Sequence, residues 1–379
     1  MSVLTEASES VSELFPRVSA LVRARRTEFA ESTMKIPMGN YRDPEVLQAE
    51  LKHVLGASPL VLAPSAALHG EGAYLTRQLP DGRSVIVSRG EDGVARVLVN
   101  TCRHRGARVA EGSGCARRFT CAYHGWSYDS TGALAGQPGR PGFDDVQASD
   151  LGLAELPSEE SFGFVWLVPA GSPGVTAHLG SFAEPLASYD YASFQANPAM
   201  EVELSANWKC LLEAFFETYH FPFVHSTSMV GKGSIANIVS YDAFGAHARL
   251  GVPGVQMQGL PDDASPADIH MSVLYYVYPN LIIANTVLGC ELIEARPAGS
   301  PGRSVLRHTF LSKVDPELVA AHTNEEYLQA IRAVIRDEDG PAITSSGGGI
   351  SDAAHDFALL GRNEPGCQHI HRQIRSALA

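Results

Sequence analysis

The sequence has 379 residues and a formal net charge of −13, with 29 Lys and Arg against 42 Asp and Glu. A chain of this length has room for two domains of ordinary size. Its acidic balance argues against non-specific nucleic-acid binding, which requires clustered basic side chains. No apolar run is long enough for an ordinary transmembrane helix, and the N-terminal residues lack the pattern of a signal peptide. We expect a cytoplasmic protein that binds neither nucleic acid nor membrane.

The N-terminal part of the chain predicts a helix. Residues 8 to 30 carry apolar side chains at intervals of three and four, which is typical of an amphipathic helix. Pro16 lies within this pattern and is expected to break or bend the helix. We assign residues 1–43 to an N-terminal helical segment.

The middle and C-terminal parts differ in their periodicity. Residues 44–157 hold short runs of alternating apolar and polar residues separated by Asp-Gly turns, which predicts an all-β unit built of hairpins. Residues 158–379 follow a Gly/Pro-rich boundary and mix helical stretches with strands, which predicts an α+β domain with an antiparallel sheet and helices on one side. The run "TSSGGG", residues 344–349, predicts a flexible loop.

Four residues with metal-binding side chains lie in the β-rich part. Cys102 and His104 form C-x-H, Cys121 and His124 form C-x-x-H, and sixteen residues separate the two pairs. A zinc finger usually pairs Cys with Cys and His with His around one ion. Here each pair supplies one Cys and one His. This arrangement favours two metal ions, one bound by the two cysteines and the other by the two histidines. A structural zinc site is the alternative. Cys115 has no histidine at such a spacing and is predicted to be a free buried thiol.

The stretch "TCRHRGARVAEGSGCARRFTCAYHGW", residues 101–126, closely resembles the Rieske [2Fe–2S] motif, in which two histidines replace two cysteines on one iron. The resemblance implies that the four residues bind this cluster. It also implies that amides at Gly106 and Gly125 turn close to the cluster sulfurs and donate to them, and that Tyr123 and Trp126 shield it. The arginines of the stretch form a possible docking face for a redox partner.

A second group of chemically active residues lies in "NWKCLLEAFFETYHFPFVH", residues 207–225. Glu213 and Glu217 are four apart and are expected to share one helix face, which His220 continues. His225 lies off that face, since five residues rotate a helical side chain by about 500°. The proline between the two histidines is expected to bend the helix and bring His225 back.

This segment resembles the N-W-K … D/E-x-x-H-x4-H signature of the catalytic domain of Rieske oxygenases. The resemblance implies that His220 and His225 bind a mononuclear iron with one carboxylate, the ligand set of non-haem Fe(II) oxygenases. It implies that Glu217 links this iron to a Rieske histidine of a neighbouring subunit. For the third ligand it favours Asp339, with Asp337 as second choice.

Both signatures occur in the family's order, so the chain resembles the catalytic (alpha) subunit of a Rieske non-haem iron oxygenase. The family resemblance implies the terminal oxygenase of a multicomponent system, a homotrimer that uses O₂ and electrons from a ferredoxin or flavin reductase to hydroxylate or demethylate a small molecule. NAD(P)H would act only through the reductase. Monooxygenation is favoured because the chain length is similar to single-subunit monooxygenases and demethylases. Ring cis-dihydroxylation, and electron transfer without oxygenase activity, are the alternatives.

The resemblance also sharpens the domain assignment. Residues 1–43 are expected to pack on the catalytic domain, residues 44–157 to form the Rieske domain, and residues 158–379 to form the catalytic domain, with a twisted antiparallel sheet flanked by helices. His369 and His371 are assigned structural roles. The substrate pocket is predicted to be lined by residues of "YYVYPNLIIANT" and by four phenylalanines: Phe215, Phe216, Phe221 and Phe223.

Overall fold

The protein is described by a computed structural model that covers residues 9–261, 264, 271–314, 323–352 and 354–379. The chain divides into two compact units. One is the continuous segment Gly56–His178, and the other combines Met1–Leu55 with Leu179–Ala379. These divisions differ from the boundaries predicted after residues 43 and 157. In the part of the chain described, no helix has both the length and the apolar composition needed to cross a membrane.

The N-terminal segment belongs to the second of these units. Its elements are α1 (Glu9–Ala24), β1 (Met34–Pro37), α2 (Gly39–Arg42), α3 (Pro44–Glu50) and a π-helical turn, Leu51–Leu55. Helix α1 continues through Pro16, so the predicted break is absent. Burial of Leu14 and Val18 on its apolar face stabilises the helix against the lost backbone hydrogen bond.

Buried polar contacts explain why residues 44–55 belong to this unit. Lys209 Nζ lies 2.5 Å from Glu50 Oε1, and Trp208 Nε1 donates to Glu50 Oε2 at 2.8 Å. All three side chains are buried. A buried charge is costly unless paired, so the Glu50 carboxylate ties the end of α3 to the residues around Trp208. Periodicity in the sequence contains no signal for this long-range pair.

The unit Gly56–His178 is built almost entirely of strands, as predicted. It contains three antiparallel sheets, of order β10-β5-β4-β3-β6, β11-β12-β2 and β7-β8-β9. The strands are β2 (Leu60–Pro64), β3 (Ala73–Gln78), β4 (Ser84–Arg89), β5 (Ala95–Val99), β6 (Ser113–Cys115), β7 (Arg118–Thr120), β8 (Ser127–Asp129), β9 (Leu134–Gly136), β10 (Glu155–Leu156), β11 (Ser158–Ser161) and β12 (Phe164–Leu167). Short 3₁₀ helices occupy Ser65–Ala67, Arg140–Phe143 and Ala148–Leu151, and α4 (Val175–Leu179) closes the segment.

The two Asp-Gly turns form hairpins. Strands β3 and β4 pair across Gly82, and β4 and β5 pair across Gly93. Both glycines have φ near +80°, at +86° and +76°, a backbone conformation that other residues adopt only with strain. The sequence prediction of these hairpins is confirmed.

The other unit is organised around one large antiparallel sheet of order β13-β20-β19-β18-β17-β16-β15, with β14 also paired to β20. Its strands are β13 (Gln195–Ala196), β14 (Met200–Leu204), β15 (Ser240–Phe244), β16 (His247–Pro253), β17 (Met271–Val277), β18 (Leu281–Thr286), β19 (Gly289–Pro297), β20 (Ser304–Ser312) and β21 (Phe357–Leu360), which pairs with β1. Its helices are α5 (Ala183–Ala187), α6 (Trp208–Phe215), α7 (Phe221–Val224), α8 (Met229–Gly233), α9 (Thr323–Val334), α10 (Gly340–Ser351) and α11 (Pro365–Leu378), with 3₁₀ helices at Gly180–Phe182, Tyr191–Ser193 and Val255–Met257. The predicted α+β class is confirmed.

The predicted flexible loop at residues 344–349 is wrong, because "TSSGGG" lies inside helix α10. A Cβ atom on Gly347 would lie 2.2 Å from the Ser205 carbonyl oxygen and 2.7 Å from Ala206 Cα. Helix α10 therefore approaches the backbone before α6 more closely than any side chain would permit. The glycines serve close helix packing.

Candidate functional site

Two loops of the β-rich unit hold the four predicted cluster ligands with the same backbone hydrogen bonds. The amide of Cys102 donates to Ala107 O, and that of Cys121 donates to Trp126 O, both at 2.8 Å. The amides of Gly106 and Gly125 donate to the carbonyl oxygens of the respective cysteines, both at 2.9 Å. Both glycines have positive φ, at +80° and +72°. Their own amides are thus used to close the loops, which corrects the prediction that they donate to cluster sulfurs.

The loops bring the two histidines together and bury the two cysteines. His104 Nδ1 lies 3.2 Å from His124 Nδ1, and both rings are partly exposed. Cys102 and Cys121 are buried. The imidazole nitrogens therefore converge on one point near the surface, while the thiols lie deeper in the protein.

The distances favour two metal ions over one. Among the described residues, no three of these four side chains place their ligand atoms within 4.8 Å of one another. A single tetrahedral ion with bonds of about 2.0–2.3 Å would hold all four within about 4 Å of each other. The donor set and its spread fit a [2Fe–2S] cluster with a histidine-bound iron and a cysteine-bound iron. The assignment of the four ligands remains a prediction.

Aromatic side chains surround the loops. The Trp126 ring is buried and stacks on His104 with centroids 5.0 Å apart. Tyr123 lies against His124 at 3.9 Å between centroids, but 59 % of it is exposed, so it covers the ring from the solvent side only. Arg105 lies over Tyr123 and reaches within 2.7 Å of His124 Nε2. Burial and then the charge of Arg105 lower the pKa of His124, which favours the neutral, ligating form.

Tyr128 is a contact that motif reasoning missed. Its hydroxyl lies 3.2 Å from Cys102 Sγ and accepts a hydrogen bond from the Arg103 amide at 3.0 Å. Burial, followed by the contact with Cys102, raises the pKa of Tyr128. The hydroxyl therefore keeps its proton and can donate it to the sulfur of Cys102, a predicted ligand.

The surface near the loops carries exposed charge and one exposed thiol. Cys115 is exposed, and its Sγ lies 3.3 Å from Glu71 O, so the prediction of a buried thiol is wrong. It lies on the short edge strand β6, whose three residues are all exposed. The five arginines of the stretch are all exposed: Arg103, Arg105, Arg108, Arg117 and Arg118.

In the other unit, helix α6 ends before the acidic residue of the second motif. The helix stops at Phe215, so Glu217 does not share a helix face with Glu213 as predicted. Glu217 instead accepts from the amides of Tyr219 and His220, the latter at 3.3 Å, and its other oxygen contacts His220 Nδ1. The carboxylate thus binds backbone donors just before the N-terminus of α7, and it orients the His220 ring.

The two histidines flank the single-turn helix α7. His220 precedes the helix, Pro222 lies in its first turn, and His225 follows it. The two Nε2 atoms lie 3.1 Å apart. Asp339 Oδ1 lies 3.2 Å from His225 Nε2 and 3.7 Å from His220 Nε2. These three ligand atoms form one group within 4.8 Å, so the structure brings together the residues predicted to bind the mononuclear iron.

Asp339 reaches this group from an irregular part of the chain. It ends the π-helical turn Ile335–Asp339 between α9 and α10, and it is buried. Such turns occur frequently at functional sites, because they redirect side chains that a regular helix would point elsewhere. Asp337, the second choice, is exposed and pairs with Arg336 at 2.6 Å. The geometry favours Asp339, whose role remains a prediction.

The charges of the group perturb one another. Burial lowers the pKa of His220, but contacts with Asp339 and Glu217 outweigh it and raise the pKa to about 9. The pKa of His225 is raised in the same way, against burial, by Asp339 and Glu338. Burial raises the pKa of Asp339, yet its hydrogen bonds to the two imidazoles outweigh burial and lower it. Iron binding at these atoms competes with protons.

Glu338 is a second residue whose role the motif did not indicate. Its Oε2 lies 2.7 Å from His225 Nδ1, on the side of the ring away from Asp339. Each histidine therefore has a carboxylate at Nδ1, Glu217 for His220 and Glu338 for His225. Such partners fix the tautomer and direct the Nε2 lone pair toward a metal. A donor set of two histidines and one aspartate, with carboxylates that orient the two rings, fits Fe(II).

A cavity of about 290 Å³ adjoins the three ligand atoms. Phe215 and Phe221 line it, as do Ala284 and Thr286 of the predicted strand residues. Phe216 and Phe223 do not, which corrects the prediction. Phe216 is fully buried, in contact with Tyr276, because α6 ends with this side chain in the core. The side chain of Phe223 on α7 is directed to solvent and is 77 % exposed.

Two family models match the chain. The family model "Ring hydroxylating alpha subunit (catalytic domain)" matches residues 191–379, and the model "Rieske [2Fe-2S] domain" matches residues 58–150. The chain belongs to the family of alpha subunits of Rieske-type ring-hydroxylating oxygenases. Members of this family carry a Rieske [2Fe–2S] cluster and a mononuclear iron, and they use O₂ with electrons supplied by a reductase.

Individual relatives fall into two groups. The chain is 34 % identical over 202 residues to the large oxygenase component of a naphthalene 1,2-dioxygenase system from Ralstonia sp., a match covering 51 % of this chain and 45 % of that protein. It is 29 % identical over 194 residues to a glycine betaine monooxygenase oxygenase subunit from Chromohalobacter salexigens, covering 50 % and 43 %. The chain thus spans about half the length of the curated relatives it matches.

The fold is shared over nearly the full length with solved structures. The quaternary ammonium Rieske monooxygenase CntA in complex with an inhibitor superimposes with a TM-score of 0.80 at 19 % identity, covering 91 % of this chain and 95 % of CntA. A naphthalene 1,2-dioxygenase with indole bound superimposes with a TM-score of 0.73 at 18 % identity, covering 91 % and 92 %. At these identities the likeness concerns the fold.

Proposed function

We propose that this chain is the terminal oxygenase component of a multicomponent Rieske system. It uses O₂ and electrons from a separate reductase to hydroxylate or demethylate a small organic substrate. The observation that carries the proposal is the convergence of His220, His225 and Asp339 beside a mostly apolar cavity. Electron transfer alone would require neither a second metal site nor a cavity next to it.

The proposed ligands follow from the donor atoms. Cys102, Cys121, His104 and His124 would hold the [2Fe–2S] cluster. The Nε2 atoms of His220 and His225 and a carboxylate oxygen of Asp339 would hold Fe(II). When bound, this iron supplies the reduction of O₂ that ordinary side chains cannot perform.

The surrounding residues of the catalytic unit have supporting roles. Glu217 and Glu338 accept the Nδ1–H groups of the two histidines and keep their rings oriented. The apolar wall of the cavity, which includes Phe215, Phe221 and Leu274, excludes water from the reacting substrate.

We infer monooxygenation in preference to ring dihydroxylation. The relatives include proteins of both kinds. One is a component of a dioxygenase system and the other a monooxygenase subunit. Turnover under ¹⁸O₂ distinguishes the two reactions. One labelled oxygen atom in the product supports monooxygenation, and two labelled atoms on adjacent carbons support dihydroxylation.

The proposed partners are a ferredoxin or flavin reductase and two further copies of this chain. The exposed arginines of the cluster stretch offer a basic face to an acidic redox protein. One solved CntA structure is reported to reveal inter-subunit electron transfer. By analogy, Glu217 would connect His220 to a Rieske histidine of a neighbouring copy in a cyclic trimer. The six cysteines are all free, which supports a reducing, cytoplasmic location.

Spectroscopy and O₂ uptake test the proposal. The purified protein should be red-brown, give a rhombic EPR signal on reduction and contain about three irons per chain. With a surrogate reductase it should consume O₂ in a substrate-dependent manner. A coloured protein with two irons and no O₂ uptake would support the electron-transfer alternative, and a colourless zinc protein would contradict the whole proposal.

The bridging role of Glu217 requires a separate test. Glu217→Gln should retain both metal sites and normal reduction by the reductase, but oxidation of the cluster during single turnover should slow about 10- to 100-fold. Glu213→Gln is the matched control, since Glu213 contacts Tyr41 and His371 and not a predicted ligand. Equal single-turnover rates in Glu217→Gln and the wild type would refute the bridge.

A further inference from the structure

One charged residue of the cavity has no role in the proposed iron site. Glu291 on β19 lines the cavity wall and is only 5 % exposed. Apart from the residues around the predicted iron ligands, it is the one carboxylate among the described lining residues, and none of those residues is Lys or Arg. A buried charge without an opposite charge is costly. The position of Glu291 therefore requires a physical explanation.

Two side-chain donors hold the Glu291 carboxylate in place. Tyr327 on α9 donates to Oε1 at 2.6 Å, and Tyr327 also lines the cavity. His308 on β20 lies with Nε2 3.2 Å from Oε2. These contacts orient the carboxylate without placing a Lys or Arg beside it.

The surroundings of His308 limit how its ring can contact Glu291. The ring is completely buried, and its Nδ1 has no hydrogen-bond partner in the described part of the chain. A proton on Nδ1 would be a buried donor without an acceptor, which costs more than a bare ring nitrogen. The geometry thus fits donation through Nε2–H, and the described residues that line the cavity place no Lys or Arg side chain opposite Glu291.

The cavity also offers surfaces that attract a cation. The rings of Phe215, Phe221 and Tyr327 line it, and aromatic faces bind ammonium groups through their quadrupoles. A carboxylate has lone pairs for more than two donors, so Glu291 can accept a further contact beyond Tyr327 and His308. Charge, aromatic lining and volume point to one class of ligand.

We propose that Glu291 is a specificity residue that recognises a cationic ammonium group, so that the substrate of the oxygenase is an amine or a methylated ammonium compound. This inference rests on the proposed function only where it calls the bound amine a substrate. The binding preference itself does not depend on that function. Tyr327 and His308 position the carboxylate. The alternative is that Glu291 only holds α9 against the sheet through Tyr327. It predicts that charged and uncharged ligands of the same shape bind equally well.

Paired probes separate these explanations. Choline and 3,3-dimethyl-1-butanol have nearly the same shape and differ by one positive charge. Calorimetry on the iron-loaded protein under argon should show choline binding at least about tenfold more tightly. Equal affinities, or no binding of choline, would overturn the proposal without any variant.

Variants test whether Glu291 causes the preference for choline over the uncharged alcohol. Glu291→Gln should reduce the preference for choline to within about twofold and leave binding of the uncharged alcohol unchanged. Glu326→Gln, which removes an exposed charge next to Tyr327, is the matched control and should keep the full preference. Glu291→Asp retains the charge and should give an intermediate value, which serves if the Gln variant does not fold. A preference unchanged in Glu291→Gln would overturn the assignment.

The outcomes remain separable from those of the proposed function. The binding test requires neither reductase nor O₂. Selective binding of choline without O₂ uptake would refute the oxygenase and leave the cation site standing. O₂ uptake with uncharged substrates and no charge preference would refute the cation site and leave the oxygenase standing.

Discussion

The two candidate metal sites of this protein are constructed in different ways. The ligands of the first lie within 23 consecutive residues, from Cys102 to His124, in two loops closed by their own backbone hydrogen bonds. The ligands of the second include Asp339, 114 residues after His225, and carboxylates hold the two rings. The first site is a local structure, and the second depends on the packing of distant elements. Damage to one should therefore spare the other.

The largest effects are expected from removing a ligand of either site. Asp339→Ala should lose the mononuclear iron, falling from about three to about two irons per chain, and should keep the rhombic EPR signal. Cys121→Ser should lose the cluster and retain about one iron. Asp337→Ala is the control and should retain all the iron, because Asp337 is exposed and pairs with Arg336. Loss of all iron in Cys121→Ser would show that the sites depend on each other.

The next largest effect is expected on folding stability, from the protonation of His369. This buried histidine lies in the same unit as His220 and His225 and is not a predicted ligand. His369 is 2 % exposed, lies 2.9 Å from the Tyr241 hydroxyl and 3.1 Å from Ala246 O, and its pKa is lowered by burial to about 4. Below its ordinary pKa of 6.5 the unfolded chain binds a proton that the folded protein does not. Stability should fall by about 3 kcal/mol between pH 6.5 and pH 4.

Thermal unfolding of the wild type and of His369→Gln between pH 7.5 and pH 4.5 tests this expectation. The variant should be less stable than the wild type at neutral pH and should lose less stability on acidification. Parallel pH profiles for the two proteins would show that another group causes the acid sensitivity.

A smaller effect should follow from weakening the support of the second site. Glu338→Gln removes the charge at His225 Nδ1 but can still accept a hydrogen bond. We expect iron affinity to fall about tenfold, at the lower end for residues that orient metal ligands. Competition with a chelator measures it, with Asp337→Asn as control. Unchanged affinity would mean that Asp339 and the packing of α7 orient the ring unaided.

The smallest effect is expected at the first site. Tyr128→Phe removes a hydroxyl that lies 3.2 Å from Cys102 Sγ. Hydrogen bonds to cluster sulfurs stabilise the more negative, reduced state, so their loss lowers the reduction potential. We expect a decrease of a few tens of millivolts, below the roughly 59 mV of a tenfold change for one electron. Protein-film voltammetry measures it, and an increase would contradict the donor role of Tyr128.

The contrast also explains which features could be predicted from sequence. The cluster ligands are recognisable because loop spacing alone brings them together. The H-x4-H pair is likewise local, and the antiparallel sheet and the Asp-Gly hairpins follow from alternation and turn chemistry. Asp339 could be named only by resemblance, because nothing local connects it to His225.

The errors share a physical origin. The sequence alone reveals neither that α6 ends at Phe215, with the Phe216 ring in the core, nor that the Phe223 ring on α7 is exposed to solvent, so it cannot exclude these two side chains from the cavity. Composition does not reveal that Gly347 lies against Ser205 O, so it cannot distinguish the helix at 344–349 from a loop. Glu291 belongs to no motif. Its environment arises from side chains on three elements that meet only in the folded protein.

The matching hydrogen bonds of the two cysteine loops have a consequence for how such a site can vary. In each loop the same bonds run from the cysteine to positions four and five residues later, although the histidine stands two residues after Cys102 and three after Cys121. Between the two loops lie β6 and β7, which belong to different sheets, since β6 pairs with β3 and β7 pairs with β8. Neither strand takes part in the bonds that close the loops, so the connection between β6 and β7 can change in length while the metal-binding halves stay the same.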